Sequence, residues 1–184
     1  LTRFENGEVD IAGIGKDDID RVRDPSEPLN KLYRQSNNFM TSYIGLNNTK
    51  APFDDVFVRQ AFASSIDISK ITNITFKKMM EQATGVLPPG MYGYDPSKKT
   101  FEYDPELARE LLAKSKYGSA NNLPPIVFSD IGAGAEGSTD TQAYIEQWKQ
   151  NLGVSVTLRQ TDFATFLSDL DNNALQMYGI GWIM

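Results

Sequence analysis

Residues 52–71, with the sequence PFDDVFVRQAFASSIDISKI, contain two helix starts within a short span. A carboxylate at Asp54 or Asp55 can accept hydrogen bonds from the unpaired N–H groups of a first helical turn. Small and apolar residues then recur at helical spacing, which predicts a helix with one buried face. Asp67 can cap a second, short helix. The stretch is therefore interpreted as a core helix and a turn, without chemistry of its own. The buried face is predicted to hold Val58, Ala61, Phe62, Ser65 and Ile66, and the second helix Ile68 and Ile71.

The composition limits the kinds of function that the chain can have. Its 184 residues are 40% hydrophobic and contain no apolar run of transmembrane length, so they can bury a core. The net charge of −6 and the scattered basic residues argue against nucleic-acid binding, which requires clustered Lys and Arg. Cysteine and histidine are both absent, which removes disulfides, thiolate metal sites and the side chain most often used as a general base.

Acidic residues are the remaining candidates for catalysis or metal binding. Adjacent carboxylates at residues 17–18 and 54–55 point in different directions on a helix or turn, so neither pair forms a facing dyad. Residues 169–173, DLDNN, come nearest to a calcium loop but lack its later glutamate. We therefore interpret them as a solvated helix end, and we expect no catalytic residue, no metal site and no cofactor.

The second half of the chain alternates between strands and helices. Strands are predicted at residues 125–129, 154–158 and 175–182, and helices between them begin at Asp140 and Asp162. This alternation indicates an α/β layer with at least some parallel strand pairing. A strand at residues 38–47 and a helix that begins at Asp104 come earlier in the chain.

The first half gives weaker patterns. Residues 1–7 are typical of a helix end, and EVDIAGI at residues 8–14 predicts a short strand. The highly charged residues 17–31 predict a solvated helix and loop. The helix that begins at Asp67 can extend to Gly85. Three prolines and two glycines within residues 87–96 predict an irregular connection.

A glycine motif of the form G-x-G-x-x-G follows a predicted strand and precedes a predicted helix, as in a dinucleotide-binding fingerprint. That fingerprint aims the free N–H groups of a helix N-terminus at a pyrophosphate. Here helix-capping residues 138–140 follow the motif and would occupy those groups, and Asp130 and Glu136 would place negative charge nearby. A plain loop is favoured, and a small nucleotide-binding α/β enzyme stays as the alternative. The three glycines are Gly132, Gly134 and Gly137.

Several motifs, taken in order, carry a resemblance to a known family. The strand FMTSYIGLN, the following PFDD and VRQA, and the later YDPELARELLAKSKYG resemble extracellular solute-binding proteins of the oligopeptide and dipeptide type. The resemblance implies one lobe of a periplasmic-binding-protein type II fold, an α/β structure with a central mixed sheet flanked by helices. It further implies that residues 1–184 form a single domain, mainly the C-terminal lobe, with residues 1–15 near the lobe boundary.

The same resemblance implies binding without catalysis. Members of this family are the substrate-capturing subunits of ATP-driven ABC importers, and they enclose the ligand between two lobes. The implied partners are a peptide or other small solute, a membrane permease and the N-terminal lobe missing from this fragment. The implied location is extracellular or periplasmic, with the full-length protein anchored as a lipoprotein.

The family's contribution from this lobe lies on one helix and the next strand, here residues 162–182. By motif position, the aromatic residue near the helix start is Phe163, the apolar residue one turn later is Leu167, and the strand ends in Gly-Trp at Trp182. Aromatic walls suit a generic side-chain pocket. In peptide-binding relatives an aspartate follows the Gly-Trp by three positions, which is position 185 here. Leu170 stands where some peptide binders have a basic residue, so nickel complexes and oligosaccharides stay open as solutes. Phe163 and Leu167 could equally be core residues.

Overall fold

The computed structural model describes residues 1–36, 38–98, 101–132 and 137–183. Its internal contacts divide the chain into two compact units. The first unit, called the N-terminal unit below, comprises Leu1–Asn38 and Ser69–Gln82, and the second, called the sheet unit, comprises Phe39–Ile68 and Ala83–Met184. The assignment of all 184 residues to one lobe stays a prediction.

A four-stranded mixed sheet forms the centre of the sheet unit. The strand order is β1-β4-β2-β3. The β1 strand pairs antiparallel with β4, and β2 is parallel to both β3 and β4. The predicted α/β class and the predicted parallel pairing are therefore confirmed. The strands are β1 (Met40–Leu46), β2 (Ile126–Ile131), β3 (Val156–Thr161) and β4 (Met177–Ile183).

Four capped helices surround this sheet. A short polar side chain at each N-cap accepts a backbone N–H of the first turn, which satisfies donors that the helix itself leaves unpaired. The predicted caps Asp55, Asp104 and Asp162 are confirmed, and Ser138 caps the remaining helix. The helices are α3 (Val56–Ser64), α5 (Pro105–Lys114), α6 (Thr139–Leu152) and α7 (Phe163–Asp171).

Trp148 of α6 is the centre of the core of the sheet unit. Its ring centroid lies 5.4 Å from that of Phe62 on α3 and 5.9 Å from that of Phe128 on β2. The indole Nε1 also donates to the carbonyl oxygen of Phe62 at 3.2 Å. The sequence prediction for the opening stretch is confirmed, because all five residues of the predicted helix face are buried. This core joins α3 and α6 to one face of the sheet.

The first part of the N-terminal unit, residues 1–31, differs from the sequence prediction in two places. Residues 8–14 form no strand, and Ile11 is 88% exposed. Apolar and β-branched residues favour extended backbone, but a strand also needs a neighbour to pair with. The charged segment predicted to be solvated instead buries Ile19 and Val22, which lie three residues apart on one side of a short helix. The short helices are α1 (Thr2–Glu5) and α2 (Ile19–Arg23).

The predicted helical extension to Gly85 is wrong. The short helix α4 (Ile68–Lys70) continues only as a π-helical turn at Ile71–Thr75. Lys77 and Lys78 then take left-handed backbone angles, with φ of 48° and 58°, which no α-helix can contain. The guanidinium of Arg23 donates to the Lys77 carbonyl oxygen at 2.7 Å and so stabilises the turn. Residues 87–96 contain neither helix nor strand, as predicted.

Candidate ligand-binding face of the sheet

The two faces of the sheet are covered by different helices. Alternate residues of a strand point to opposite faces. Tyr178 of β4 contacts Phe166 of α7, with ring centroids 6.4 Å apart. Its neighbour Met177 pairs with Phe128, whose ring lies against Trp148 of α6. One face is therefore covered by α6, and the other, called the α7 face below, is covered by α7.

The alternation places Trp182 on the α7 face, together with Tyr178. The antiparallel register then assigns residues of β1 to the same face, with Thr41 opposite Trp182 and Gly45 opposite Tyr178. A Cβ atom on Gly45 would lie 2.3 Å from the Tyr178 ring, so the glycine leaves the space that this ring occupies. Tyr43 lies between Thr41 and Gly45 and also belongs to the α7 face.

A hydrogen bond joins two exposed rings of the strands themselves, those of Trp182 and Tyr43. Nε1 of Trp182 lies 3.0 Å from the hydroxyl oxygen of Tyr43. An indole N–H can only donate, so the Tyr43 oxygen is the acceptor. The Tyr43 hydroxyl can therefore donate its own proton to another acceptor. The side chains are 51% and 41% exposed, so the pair presents both apolar ring surface and one hydroxyl donor to solvent. This pair is called the Trp182–Tyr43 pair below.

The helix residues predicted for the site lie on the same side of the sheet. Phe163 is the first residue of α7 and is 57% exposed. It is thus not a core residue. Leu167 lies one turn further along α7 and is half-buried. The ring contact from α7 to the sheet is made by Phe166, which is fully buried. The structure therefore brings Phe163, Leu167 and Trp182 to one face, and their role in binding stays a prediction.

Sequence analysis missed Tyr43 as a candidate binding residue. In the sequence it is one of several residues in the predicted strand 38–47 that favour extended backbone. The signal that finds it is the register between β1 and β4, which brings Tyr43 and Trp182 to one face. This pairing joins segments about 140 residues apart, as the Trp182–Tyr43 hydrogen bond shows, and a single sequence does not reveal it.

Tyr178 lies at the centre of the α7 face and is partly buried. Burial raises the pKa of the Tyr178 hydroxyl, and the nearby Tyr43 raises it further by a smaller amount.

At the start of α7, a hydrogen bond from the Thr165 hydroxyl and a second from the Thr165 N–H lower the pKa of Asp162. This carboxylate is therefore ionised at neutral pH, at the helix end where a negative charge is favourable.

The predicted solvated helix end at residues 169–173 has partners within the protein. Asp169 forms an ion pair of 2.8 Å with Arg159, and the Asn173 amide donates to the Thr49 hydroxyl at 3.1 Å. Over residues 1–36, 38–98, 101–132 and 137–183, no group of three acidic residues is placed to hold a metal ion. In the same ranges, no helix is long and apolar enough to cross a membrane.

The glycine motif is only partly described. Gly132 and Gly137 are seen, and Gly134 lies outside the described residues. Ser138 accepts the backbone N–H of Thr141 and so uses a donor that a bound pyrophosphate would need, as the sequence predicted. Asp130 accepts a hydrogen bond of 2.7 Å from the Thr141 hydroxyl, which adds negative charge beside this helix start. These contacts give the alternative of a nucleotide-binding enzyme no support.

Comparison with known sequences gives a match over the whole chain. The profile of the family "Bacterial extracellular solute-binding proteins, family 5 Middle" matches residues 1–184. The chain is 30% identical over 195 aligned positions to the oligopeptide-binding protein OppA of Bacillus subtilis, covering 100% of this chain and 34% of OppA. It is 30% identical over 145 positions to di/tripeptide-binding protein 2 of Pseudomonas aeruginosa, covering 78% of this chain and 27% of that protein. The chain thus spans about a third of the length of these curated relatives.

Comparison with solved structures confirms the fold. The structure of the ABC transporter-associated periplasmic binding protein DppA from Helicobacter pylori, in complex with the peptide STSA, superposes with a TM-score of 0.82 at 18% identity. That superposition covers 100% of this chain and 34% of the DppA chain. The sequence prediction of a periplasmic-binding-protein fold is therefore confirmed. The chain belongs to the bacterial extracellular solute-binding proteins of family 5.

Proposed function

We propose that the protein containing this chain captures peptides for an ATP-driven importer and that the α7 face of the sheet forms one wall of the binding cleft. The observation that carries this proposal is the exposed Trp182–Tyr43 pair, with 3.0 Å between the indole nitrogen and the hydroxyl oxygen. Solvent-exposed aromatic rings held in one orientation are a common feature of binding surfaces. Family membership and the peptide-binding names of the matched relatives support the substrate class.

The geometry suits a ligand with variable side chains. The rings of Trp182 and Tyr43 offer a large apolar area without demanding one shape. Phe163 and Leu167 belong to α7, the helix that covers this face, and in this proposal they add apolar area to the wall. The hydroxyl proton that Tyr43 retains is a donor that a peptide carbonyl oxygen can accept. A wall of this kind holds the constant main chain by polar contacts and tolerates differences between side chains.

The proposed activity is binding and release without turnover. In this proposal the first lobe closes the cleft from the other side, and a membrane permease receives the loaded protein. The cleft lies outside the cytoplasmic membrane, in the periplasm or at the cell surface, where a lipid anchor would retain the protein. Family membership supports this arrangement. The proposal excludes any chemical change in the bound solute.

The test is calorimetric titration of the full-length protein with trialanine and with a heme or nickel-chelate solute. Trp182→Ala is expected to weaken trialanine binding at least tenfold, because it removes both ring surface and the orientation of Tyr43. Tyr103→Ala is the matched control, since this 46% exposed ring lies outside the α7 face. The affinity of that variant for trialanine should stay within twofold of the unaltered protein. Unchanged affinity of Trp182→Ala would remove the α7 face from the site. Binding of the heme or nickel probe with no binding of trialanine would overturn the peptide assignment.

A further inference from the structure

The exposed ring of Trp182 is not covered by any described Lys or Arg side chain. The side chain is 51% exposed, and its Nε1 donates to the Tyr43 hydroxyl at 3.0 Å, which holds the indole in one orientation. Elsewhere in the described ranges, the ammonium groups of Lys16 and Lys116 lie over aromatic rings that are not part of the α7 face. Of the aromatic side chains, the indole attracts a cation most strongly. The Trp182 ring is therefore a strong cation acceptor without a cation from the described chain.

The hydrogen bond to Tyr43 strengthens this property. Hydrogen-bonded groups polarise one another, and donation of the indole N–H shifts electron density onto the indole ring. The ring of Tyr43 is 41% exposed and has a negative face of its own. The Trp182–Tyr43 pair thus presents two electron-rich ring surfaces to whatever lies against the α7 face.

The strands add one charged residue to the α7 face, and that residue is already neutralised. Arg159 of β3 pairs with Ser129 of β2, and Ser129 pairs with Tyr178 of β4, so these three side chains point to the α7 face. The Arg159 guanidinium forms an ion pair of 2.8 Å with Asp169 of α7. The described part of the sheet therefore leaves no uncompensated positive charge on this face.

Helix α7 makes the same side of the sheet negative. Its sequence, FATFLSDLD, contains two aspartates and no Lys or Arg, and the aspartate at its N-cap adds a third carboxylate. Asp169 is paired with Arg159, whereas Asp162 and Asp171 form no ion pair with a described residue. Two carboxylates thus remain uncompensated beside the α7 face.

One of these carboxylates lies at the same edge of the sheet as Trp182. The β2 strand is parallel to both β3 and β4, so the carboxyl ends of β3 and β4 meet at one edge. Asp162 follows the last residue of β3, and Trp182 is the last but one residue of β4. The topology therefore places a negative charge and an electron-rich ring at the same edge.

We propose that the captured solute is a peptide with a cationic side chain, an arginine or a lysine, and that this side chain stacks on the ring of Trp182. That assignment rests on the proposed function, because the α7 face must be a wall of the cleft. A guanidinium or ammonium group is attracted by the ring faces and by the uncompensated carboxylates, whereas a carboxylate is repelled by both. An uncharged side chain gains ring contact alone. The wall therefore tolerates differences in side-chain shape and discriminates by charge.

The test is calorimetric titration of the full-length protein with four tripeptides. Each has alanine at both ends, and the central residue is arginine, its neutral analogue citrulline, glutamate or glutamine. All four have the same charged termini, so each comparison isolates the charge of the side chain. We expect the arginine peptide to bind at least about fivefold more tightly than the citrulline peptide. The glutamate peptide should bind at least about twofold more weakly than the glutamine peptide.

Variants at position 182 assign the preference to the ring. Trp182→Leu keeps apolar area and removes the aromatic face, so the ratio of arginine to citrulline affinity should fall to within about twofold of one. Trp182→Phe keeps a weaker aromatic face, and its ratio should lie between the other two. Tyr103→Leu, which alters a ring outside the α7 face, should leave the ratio unchanged. A merely structural effect of a variant lowers both affinities together and does not alter their ratio.

Four outcomes are distinguished. Equal affinities for the arginine and citrulline peptides would overturn the cationic assignment and leave the proposed function intact, and so would tighter binding of the glutamate peptide. An arginine preference that persists in Trp182→Leu would place the cation elsewhere in the cleft and would equally overturn the assignment. If neither trialanine nor any of the four tripeptides binds, the proposed function itself fails.

Discussion

The carboxylate of Asp55 joins α3 to the end of α5 through Lys116. Its Oδ1 accepts the backbone N–H of Phe57 at 2.8 Å, which caps α3, and its Oδ2 accepts the backbone N–H of Lys116 at 2.8 Å. The neighbouring Asp54 instead forms an ion pair with the Lys116 ammonium on the surface. Two adjacent acidic residues therefore have different structural tasks.

Asp55→Ala is expected to destabilise the protein by about 1–2 kcal/mol, because both the cap and the link to Lys116 are lost. Asp54→Ala is the matched control. It should have a smaller effect that falls further at high salt, since exposed ion pairs contribute little and are screened. Chemical denaturation of both variants measures the difference. Equal losses would mean that the main-chain bonds of Asp55 do not stabilise the junction.

The two tryptophans of the chain should differ sharply in their contribution to stability. Trp148→Phe removes one of the two side-chain donors to the buried Phe62 carbonyl oxygen, the other being the Ser65 hydroxyl, and it opens space beside Phe128. We expect a loss of about 2–4 kcal/mol. Trp182→Phe removes a hydrogen bond from an exposed pair and should cost less than about 1 kcal/mol. Urea unfolding followed by circular dichroism compares the two. A larger loss for Trp182→Phe would contradict the assigned core.

Gly45→Ala should displace the ring of Tyr178, since the added Cβ would lie 2.3 Å from it. Overpacking of this kind costs about 1–3 kcal/mol. The double variant Gly45→Ala with Tyr178→Ala should lose less stability than the sum of the single variants, because the clash is then absent. Gly13→Ala is a control, as no atom lies within 4 Å of its Cβ position. Strict additivity at positions 45 and 178 would argue against the contact.

Protonation of Asp162 should weaken the start of α7 at low pH. The Thr165 hydroxyl and N–H groups lower the pKa of this carboxyl below its ordinary value of 3.8. The unfolded state therefore takes up the proton first, so the stabilisation is complete above about pH 4 and is lost as the pH falls through the folded-state pKa. Thr165→Val removes the hydroxyl donor, which lies 2.6 Å from the carboxylate, and should raise the pKa of Asp162 towards 3.8. Carbon-detected NMR titration measures this pKa, and an unchanged value in Thr165→Val would contradict the assigned cause.

The features that sequence analysis predicted correctly depend on neighbours in the chain. A capping aspartate and the helix it caps lie within one turn, so Asp55, Asp104 and Asp162 could be identified from local pattern alone. The buried face of α3 follows from the spacing of its small and apolar residues. The alternation of strands and helices in the second half also predicted the α/β class. Patterns among residues close together in the chain therefore predict most of the helices and strands of the sheet unit.

The features that sequence analysis missed depend on pairing between distant segments. Nothing near residues 8–14 shows that no strand would lie beside them, and nothing near Lys77 shows that Arg23 would hold its carbonyl group. Tyr43 became a candidate only through the register of β1 with β4, which brings it to the same face as Trp182. Phe163, Leu167 and Trp182 were located by family resemblance, and the structure adds that they share a face. Their part in binding awaits the measurements above.

Alternate residues of β4 face two different surroundings. Met177, Gly179 and Gly181 face the side occupied by α6, and their sizes are dictated by Phe128, Ser42 and the other side chains they meet. Tyr178 and Trp182 face the α7 side, where Tyr178 packs against Phe166 and Gly45 and Trp182 is 51% exposed. Substitutions at positions 178 and 182 should therefore disturb the packing beneath α6 less than substitutions at positions 177, 179 and 181. Insertion of a single residue would turn the residues that face α6 towards α7, and the reverse. This strand should therefore tolerate substitution far better than any change in length.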